Sequence, residues 1–209
     1  DHEGFLHAKE AEIIADLNRA DFSFESSAFV SLSIKELHER FQSKFLLLVR
    51  SPDKVVNSYV RKGYYLNKTV RANPDLALGY QDCAEFHHFL GRVVPTGEDF
   101  SQWNELTRVG KIAWFWNAIN EAVLLQFEDI PQTHKMIVKL EDLDFRQYQE
   151  ITRFVGFNSE LKQELFESVV QKKPNALSGV PSKDDWTSQE YDQFCEKVAP
   201  MANKFGYEV

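Results

Sequence analysis

Residues 44–65 read KFLLLVRSPDKVVNSYVRKGYY and change character in the middle. The run FLLLV is a continuous apolar segment, typical of a strand buried on both faces of a parallel sheet. Pro52 ends this pattern and suits the first turn of the helix that DKVVNSYVRKGYY predicts. The stretch therefore predicts a strand that ends at Arg50 and a helix that follows at once and carries Ser58.

The rest of the chain repeats the alternation of strand and helix patterns. HKMIVKLEDL predicts a second strand, which ends at Glu141-Asp142, and DFSFESSAFV predicts a strand that passes into a loop with Phe22 and Phe24 packed inward. Helices are predicted at residues 8–20, with Ile13, Ile14 and Leu17 on the apolar face, at 106–127, and in four further segments: SIKELHERF, FRQYQEITRFVGF, SELKQELFESVVQ and SQEYDQFCEKVAPMANKFGY. Such alternation predicts an α/β fold around a parallel sheet with right-handed crossovers.

Composition limits the class of protein. The 209 residues favour a single domain, 1–209, and the irregular segment 66–105 is interpreted as an insertion or a lid. A net charge of -8 argues against nucleic acid as a partner, although it permits a local basic pocket for a small anion. Two cysteines predict neither a disulfide framework nor a cysteine metal site, and no apolar run is long enough to span a membrane.

Arg50 and Ser58 are candidates for binding an anion. In open α/β sheets ligands bind at the carboxyl ends of the strands, where Arg50 and Glu141 both fall. An arginine there can present its planar fork to a phosphate, and a serine in the next helix can add a hydroxyl donor. The alternative is an arginine that pairs with a carboxylate and a serine without a specific role. Glu141-Asp142 are interpreted as structural, pairing with basic groups and capping the following helix.

Six stretches of the sequence resemble parts of sulfotransferases that use 3′-phosphoadenosine-5′-phosphosulfate (PAPS), and they occur along the chain in the order that the family has. VRSPDKVVNSY resembles their 3′-phosphate-binding segment, and FESSAFVSLSIKELHERFQSKFLLLVR resembles the preceding loop, helix and strand, with Ser26 where the loop often carries lysine. WFWNAINEAVLLQ resembles the central helix, and HKMIVKLEDLDFRQYQEITRFVGF the Tyr-Glu-Asp-Leu segment, with Leu140 in place of tyrosine. KKPNALSGVPSKDDW and VAPMANKFGY resemble the cofactor-capping loop and the terminal helix. The resemblance covers residues 22–65 and 106–207.

The resemblance implies a three-layer α/β/α fold with a central parallel sheet, of the P-loop nucleotide-hydrolase-like kind. It implies an enzyme that transfers a sulfonate group from PAPS to a hydroxyl of a carbohydrate, a small molecule or a protein tyrosine, with 3′,5′-ADP as product. Arg50 and Ser58 would hold the 3′-phosphate. Four residues of the basic loop would close over the nucleotide, namely Lys172, Lys173, Asn175 and Ser178, while Trp186 would pack that loop onto the body.

One part of the family pattern does not occur in this sequence. The family's 5′-phosphosulfate loop, of the Pro-Lys/Arg-Ser-Gly-Thr-Thr kind, holds its ligand with backbone N–H groups and a helix N-terminus. We expect it shortly upstream of Asp1. The family's base is a His or Glu between that loop and the arginine-bearing strand. Glu3 is the first candidate and His2 the second; the others in the interval are His7, Glu10 and Glu25.

Other interpretations stay open at the sequence level. A non-catalytic nucleotide- or glycan-binding relative without the phosphate loop is the main alternative, and a small-molecule kinase is a weaker one. His87-His88 could suggest a metal, but adjacent residues point to different sides of a helix, so no metal site is predicted. The expected compartment is cytoplasmic, or the Golgi lumen if an anchor precedes Asp1, and the oligomeric state is left open.

Overall fold

The computed structural model describes residues 2–66, 93–157, 160–172 and 178–209, without the side chains of His2 and Phe29. The described residues form a mixed α/β structure and are 64% helical. In order, the described elements are α1 (His2–Leu17), α2 (Ile34–Phe41), β1 (Phe45–Val49), α3 (Pro52–Arg61), α4 (Asp99–Asn104), α5 (Arg108–Glu128), β2 (Lys135–Lys139), α6 (Phe145–Val155), α7 (Gln163–Gln171) and α8 (Ser188–Phe205). Most of the predicted lid, residues 67–92, lies outside the described residues.

The two predicted strands FLLLV and KMIVK form a two-stranded parallel sheet, β1 beside β2. Val49 and Val138 are buried, whereas Leu48 is 52% exposed and Ile137 is 46% exposed. Successive side chains of a strand point to opposite faces, so the described pair buries one face of the sheet. The expectation of a strand buried on both faces is therefore wrong for the residues that the structure describes.

The chain divides into two compact units, one of Asp1–Leu47 and Ala122–Met136, the other of Leu48–Glu121 and Ile137–Val209. The first unit has a core of four buried residues with three partly buried ones packed against it: Ile34, Val123, Phe127 and Ile130, then Phe45, Leu47 and Leu124. This core joins α2 to the C-terminal part of α5 through apolar contacts.

Two predictions for the first unit are wrong. Of the predicted apolar face of α1, Ile13 is half-buried, but Ile14 and Leu17 are each 49% exposed, and the buried residue of this helix is Leu6 in its N-terminal half. Phe22 and Phe24 are also exposed, and residues 22–27 form neither helix nor strand. The alternation in FSFES therefore does not produce a strand, since no neighbouring strand pairs with it among the described residues.

The second unit holds the larger set of buried side chains, from α3, α5 and α8: Val56, Ile112, Ala113, Trp116, Phe194, Val198, Met201 and Ala202. α6 begins at its N-cap Asp144, whose side chain accepts a hydrogen bond from the backbone N–H of Gln147 at 2.7 Å. It ends at Gly156 with a φ of 98°, as the sequence predicted. The two ends of α6 therefore follow from its own cap residues.

Candidate functional site

Arg50 occupies the turn between β1 and α3. Its backbone carbonyl accepts a hydrogen bond from Nε1 of Trp116, a residue of α5 that is only 4% exposed, at 3.2 Å. The Arg50 side chain itself is exposed, and no ion pair joins its guanidinium to another of the described residues. The backbone carbonyl of this arginine is thus bound to α5, while its side chain, which carries five N–H donors, is exposed in the described part of the chain.

Glu141 ties the ends of the two strands together. It lies in the 3-10 turn Leu140–Asp142 that follows β2. Its Oε1 accepts a hydrogen bond from the backbone N–H of Ser51 at 3.0 Å, and its Oε2 accepts one from the hydroxyl of Tyr207 at 2.8 Å. The partners of Glu141 are thus a backbone amide and a tyrosine, so the prediction that it pairs with a basic group and caps the following helix is wrong for the described residues. The cap of the following helix is Asp144.

These contacts shift the pKa values of Glu141 and Tyr207. Burial by itself would raise the pKa of Glu141, but the hydrogen bonds from Ser51 and Tyr207 outweigh it and lower that pKa below its ordinary value. Burial, followed by the hydrogen bond to Glu141, raises the pKa of Tyr207. Lys139 adds a contact on the same tyrosine, since its Nζ lies 4.7 Å from the ring centroid and donates to the Gly206 carbonyl at 3.1 Å. The C-terminal segment is thereby held at the end of β2.

Helix α3 carries the second candidate, Ser58, which is half-buried. Its neighbours on the helix contact the segment that precedes α8. Oδ1 of Asn57 accepts a hydrogen bond from Nε1 of Trp186 at 3.0 Å, and Nε of Arg61 donates to the Ser178 carbonyl at 3.1 Å. Residues three apart on a helix are surface neighbours, so the Ser178 carbonyl is bound by a residue that lies one turn from Ser58 on α3.

The basic loop is described only at its ends. Lys172 is the exposed residue at the C-terminus of α7, and Ser178 is exposed as well. Lys173 and Asn175 lie outside the described residues. Trp186 has the packing role that the sequence predicted, because its ring lies 4.9 Å from that of the buried Phe194.

The candidates for the base belong to the first compact unit, whereas Arg50 and Ser58 belong to the second. Glu3 lies in the first turn of α1 and is exposed. His2 begins the same helix, and its side chain lies outside the described part of the structure. Of the other carboxylates considered, Glu10 pairs with Arg40 and Glu25 pairs with Lys9. The assignment of Glu3 or His2 as base stays a prediction.

Sequence reasoning missed Asn57, Arg61 and Tyr207 as parts of the site. Arg61 and Asn57 are neighbours of Ser58 on α3, so helical spacing could have pointed to them. The partner of Glu141 is remote in sequence, and no local signal indicates Tyr207.

The described residues were also compared with what a metal site and a membrane-spanning helix require. Within residues 2–66, 93–157, 160–172 and 178–209, no three His, Cys, Asp or Glu side chains are grouped to hold a metal ion. His87 and His88 lie outside these ranges. None of the described helices is long and apolar enough to cross a membrane. Comparison of the chain with protein-family profiles, curated proteins and solved structures finds no match.

Proposed function

We propose that this protein is a sulfotransferase that transfers a sulfonate group from PAPS to a hydroxyl-bearing acceptor, which is a carbohydrate, a small molecule or a protein tyrosine. One observation carries the proposal. An arginine with an anchored backbone and an exposed guanidinium stands at the carboxyl end of a parallel strand, directly before the helix that bears Ser58. Ligands bind at this end of parallel strands.

Charge and donor geometry support a phosphate as the ligand. Arg50 offers a planar fork of N–H donors, and Ser58 and Ser178 offer hydroxyl groups. The chain carries a net charge of -8, so a polyanion needs cations concentrated at one place. Arg50, Lys172 and Lys173 are the cations that the proposal assigns to the nucleotide.

The proposed reaction is an in-line displacement at sulfur through a loose transition state, by analogy with phosphoryl transfer. The acceptor oxygen forms the new S–O bond, the bond between sulfur and the 5′-phosphate oxygen breaks, and 3′,5′-ADP leaves with that electron pair. The proton of the acceptor hydroxyl passes to the base, for which Glu3 and His2 are the candidates. A positioned base contributes about 10²–10⁴-fold to such a rate.

The proposal extends to the fold. We infer that β1 and β2 belong to the larger central sheet of a three-layer α/β/α, P-loop-like architecture. The exposed apolar side chains of Leu48 and Ile137 support this, because parallel sheets are covered on both faces. An isolated two-stranded sheet is only marginally stable in water.

The test compares two nucleotides by calorimetry with the full-length protein. A site for the 3′-phosphate binds 3′,5′-ADP more tightly than 5′-AMP, which differs only by that phosphate. Hydrogen bonds to a charged group contribute about 1.5–3 kcal/mol each, so roughly tenfold or greater discrimination is expected. Equal affinity for the two nucleotides, or no binding of either, would contradict the proposal. Binding of 3′,5′-ADP without sulfonate transfer to any acceptor would instead favour a non-catalytic relative.

A further inference from the structure

Helix α3 holds the segment 178–187, here called the docked segment, at both of its ends. Asn57 and Arg61 are four residues apart and therefore lie on one face of the helix. Asn57 binds the indole N–H of Trp186 at 3.0 Å, near the end of the segment. Arg61 binds the carbonyl of Ser178 at 3.1 Å, at its start. One helical turn thus fixes both ends of the same segment.

The contact at Asn57 is specific because it is shielded from water. Asn57 is only 5% exposed, and Trp186 is half-buried with its ring against Phe194. A buried amide oxygen or indole N–H that loses its partner pays the cost of desolvation without compensation. The docked position of Trp186 is therefore favoured over positions in which its N–H lacks an acceptor.

We infer that Asn57 and Arg61 are positioning residues for the nucleotide site. By holding the docked segment on α3, they keep Ser178 beside the helical turn that carries Ser58. The inference rests on the proposed function, in which Ser58 and Ser178 contact the same ligand. A ligand that contacts both residues stabilises the docked segment, and by linkage the docked segment strengthens binding of that ligand by the same factor.

Trp186→Phe is the informative variant. It keeps an aromatic ring against Phe194, removes the N–H that Asn57 accepts, and changes no charge. Loss of one neutral hydrogen bond corresponds to about a 2- to 12-fold change in the docking equilibrium, so the Kd for 3′,5′-ADP is expected to rise by at most about 12-fold. Arg61→Ala is expected to weaken binding similarly, and Arg61→Lys, which keeps a donor, to restore part of the loss. Arg153→Ala, at an exposed position of α6, is the matched control.

Amide hydrogen exchange separates positioning from a general loss of stability. In the free protein, Trp186→Phe is expected to speed exchange in residues 178–187 and to leave α6 unchanged. Addition of 3′,5′-ADP is expected to slow exchange in the docked segment of the wild type, and to slow it less in the variant. Local opening of one segment produces this pattern, whereas global destabilisation changes α6 as well.

The outcomes distinguish the inference from the function on which it rests. Wild-type protein that binds 3′,5′-ADP, with unchanged affinity and unchanged exchange in Trp186→Phe, would overturn the positioning role and leave the sulfotransferase proposal intact. Wild-type protein that binds no 3′,5′-ADP would overturn both. If Trp186→Phe does not fold, Arg61→Ala and Arg61→Lys carry the same comparison, because Arg61 is exposed.

Discussion

The hydroxyl of Tyr207 donates a hydrogen bond to Oε2 of Glu141 at 2.8 Å, which joins the C-terminal segment to the end of β2. The other carboxylate oxygen accepts from the backbone at Ser51, beside the proposed anion site. The position of the Ser51 amide therefore depends on a carboxylate whose own orientation a tyrosine fixes. Substitutions of Tyr207 and of Glu141 test whether these hydrogen bonds stabilise the protein.

Tyr207→Phe is expected to destabilise the protein modestly. The variant keeps the ring that Lys139 contacts but removes the donor to Glu141. A hydrogen bond to a charged group is worth about 1.5–3 kcal/mol, and partial exposure of the pair places the expected loss near the lower end. Urea denaturation monitored by circular dichroism measures the free energy of unfolding. An unchanged midpoint would show that the hydrogen bond contributes nothing to stability.

The lowered pKa of Glu141 predicts how the stability of the protein depends on pH. Its pKa in the folded state is lowered from the ordinary value of 4.5, so the unfolded chain binds the proton more readily. The contribution to stability is therefore fully present above pH 4.5 and is lost as the pH falls through the lower, folded pKa. We expect the advantage of the wild type over Glu141→Gln to shrink on acidification. A difference in unfolding free energy that stays constant from pH 6 to pH 3 would contradict this account.

Arg108 is expected to stabilise the C-terminal end of α3. Its guanidinium donates to the carbonyls of Val60 and Tyr64, each at 2.6 Å. Arg108→Met keeps much of the apolar stem but leaves both carbonyls without this donor, at a cost of about 1–3 kcal/mol. Thermal unfolding compares the variant with Arg153→Met, an exposed control on α6. Equal melting temperatures for the two variants would refute the capping role of Arg108.

The substitution Leu48→Ala tests the proposal that β1 and β2 belong to a larger sheet. If a further element covers the open face of β1 and β2, Leu48→Ala removes a buried side chain and costs about 2–5 kcal/mol. Leu125, which is 65% exposed on α5, supplies the control, because Leu125→Ala should change stability by only about 0.5 kcal/mol. Equally small effects of both substitutions would mean that this face stays open to solvent.

The sequence was most informative where local signals coincide. The turn from FLLLV through Pro52 into α3 and the end of α6 at Gly156 follow from apolar runs, proline and glycine placement, and both are confirmed. The prediction failed at Phe22 and Phe24, because local alternation does not reveal whether a partner strand exists. The partners of Asn57 and Glu141 could not be predicted either, since each lies far away in sequence and depends on tertiary packing.

The claim that Arg50 binds the 3′-phosphate of the nucleotide is tested most directly by a thermodynamic cycle. One arm of the cycle substitutes Arg50 in the protein, and the other removes the 3′-phosphate from the ligand. Calorimetry measures four affinities, those of wild type and Arg50→Ala for 3′,5′-ADP and for 5′-AMP, with Arg153→Ala as the matched control. If Arg50 binds the 3′-phosphate, its removal costs about 2–5 kcal/mol with 3′,5′-ADP and much less with 5′-AMP, so the discrimination between the two nucleotides collapses. Discrimination that survives in Arg50→Ala, or an equal loss of affinity for both nucleotides, would contradict the assignment.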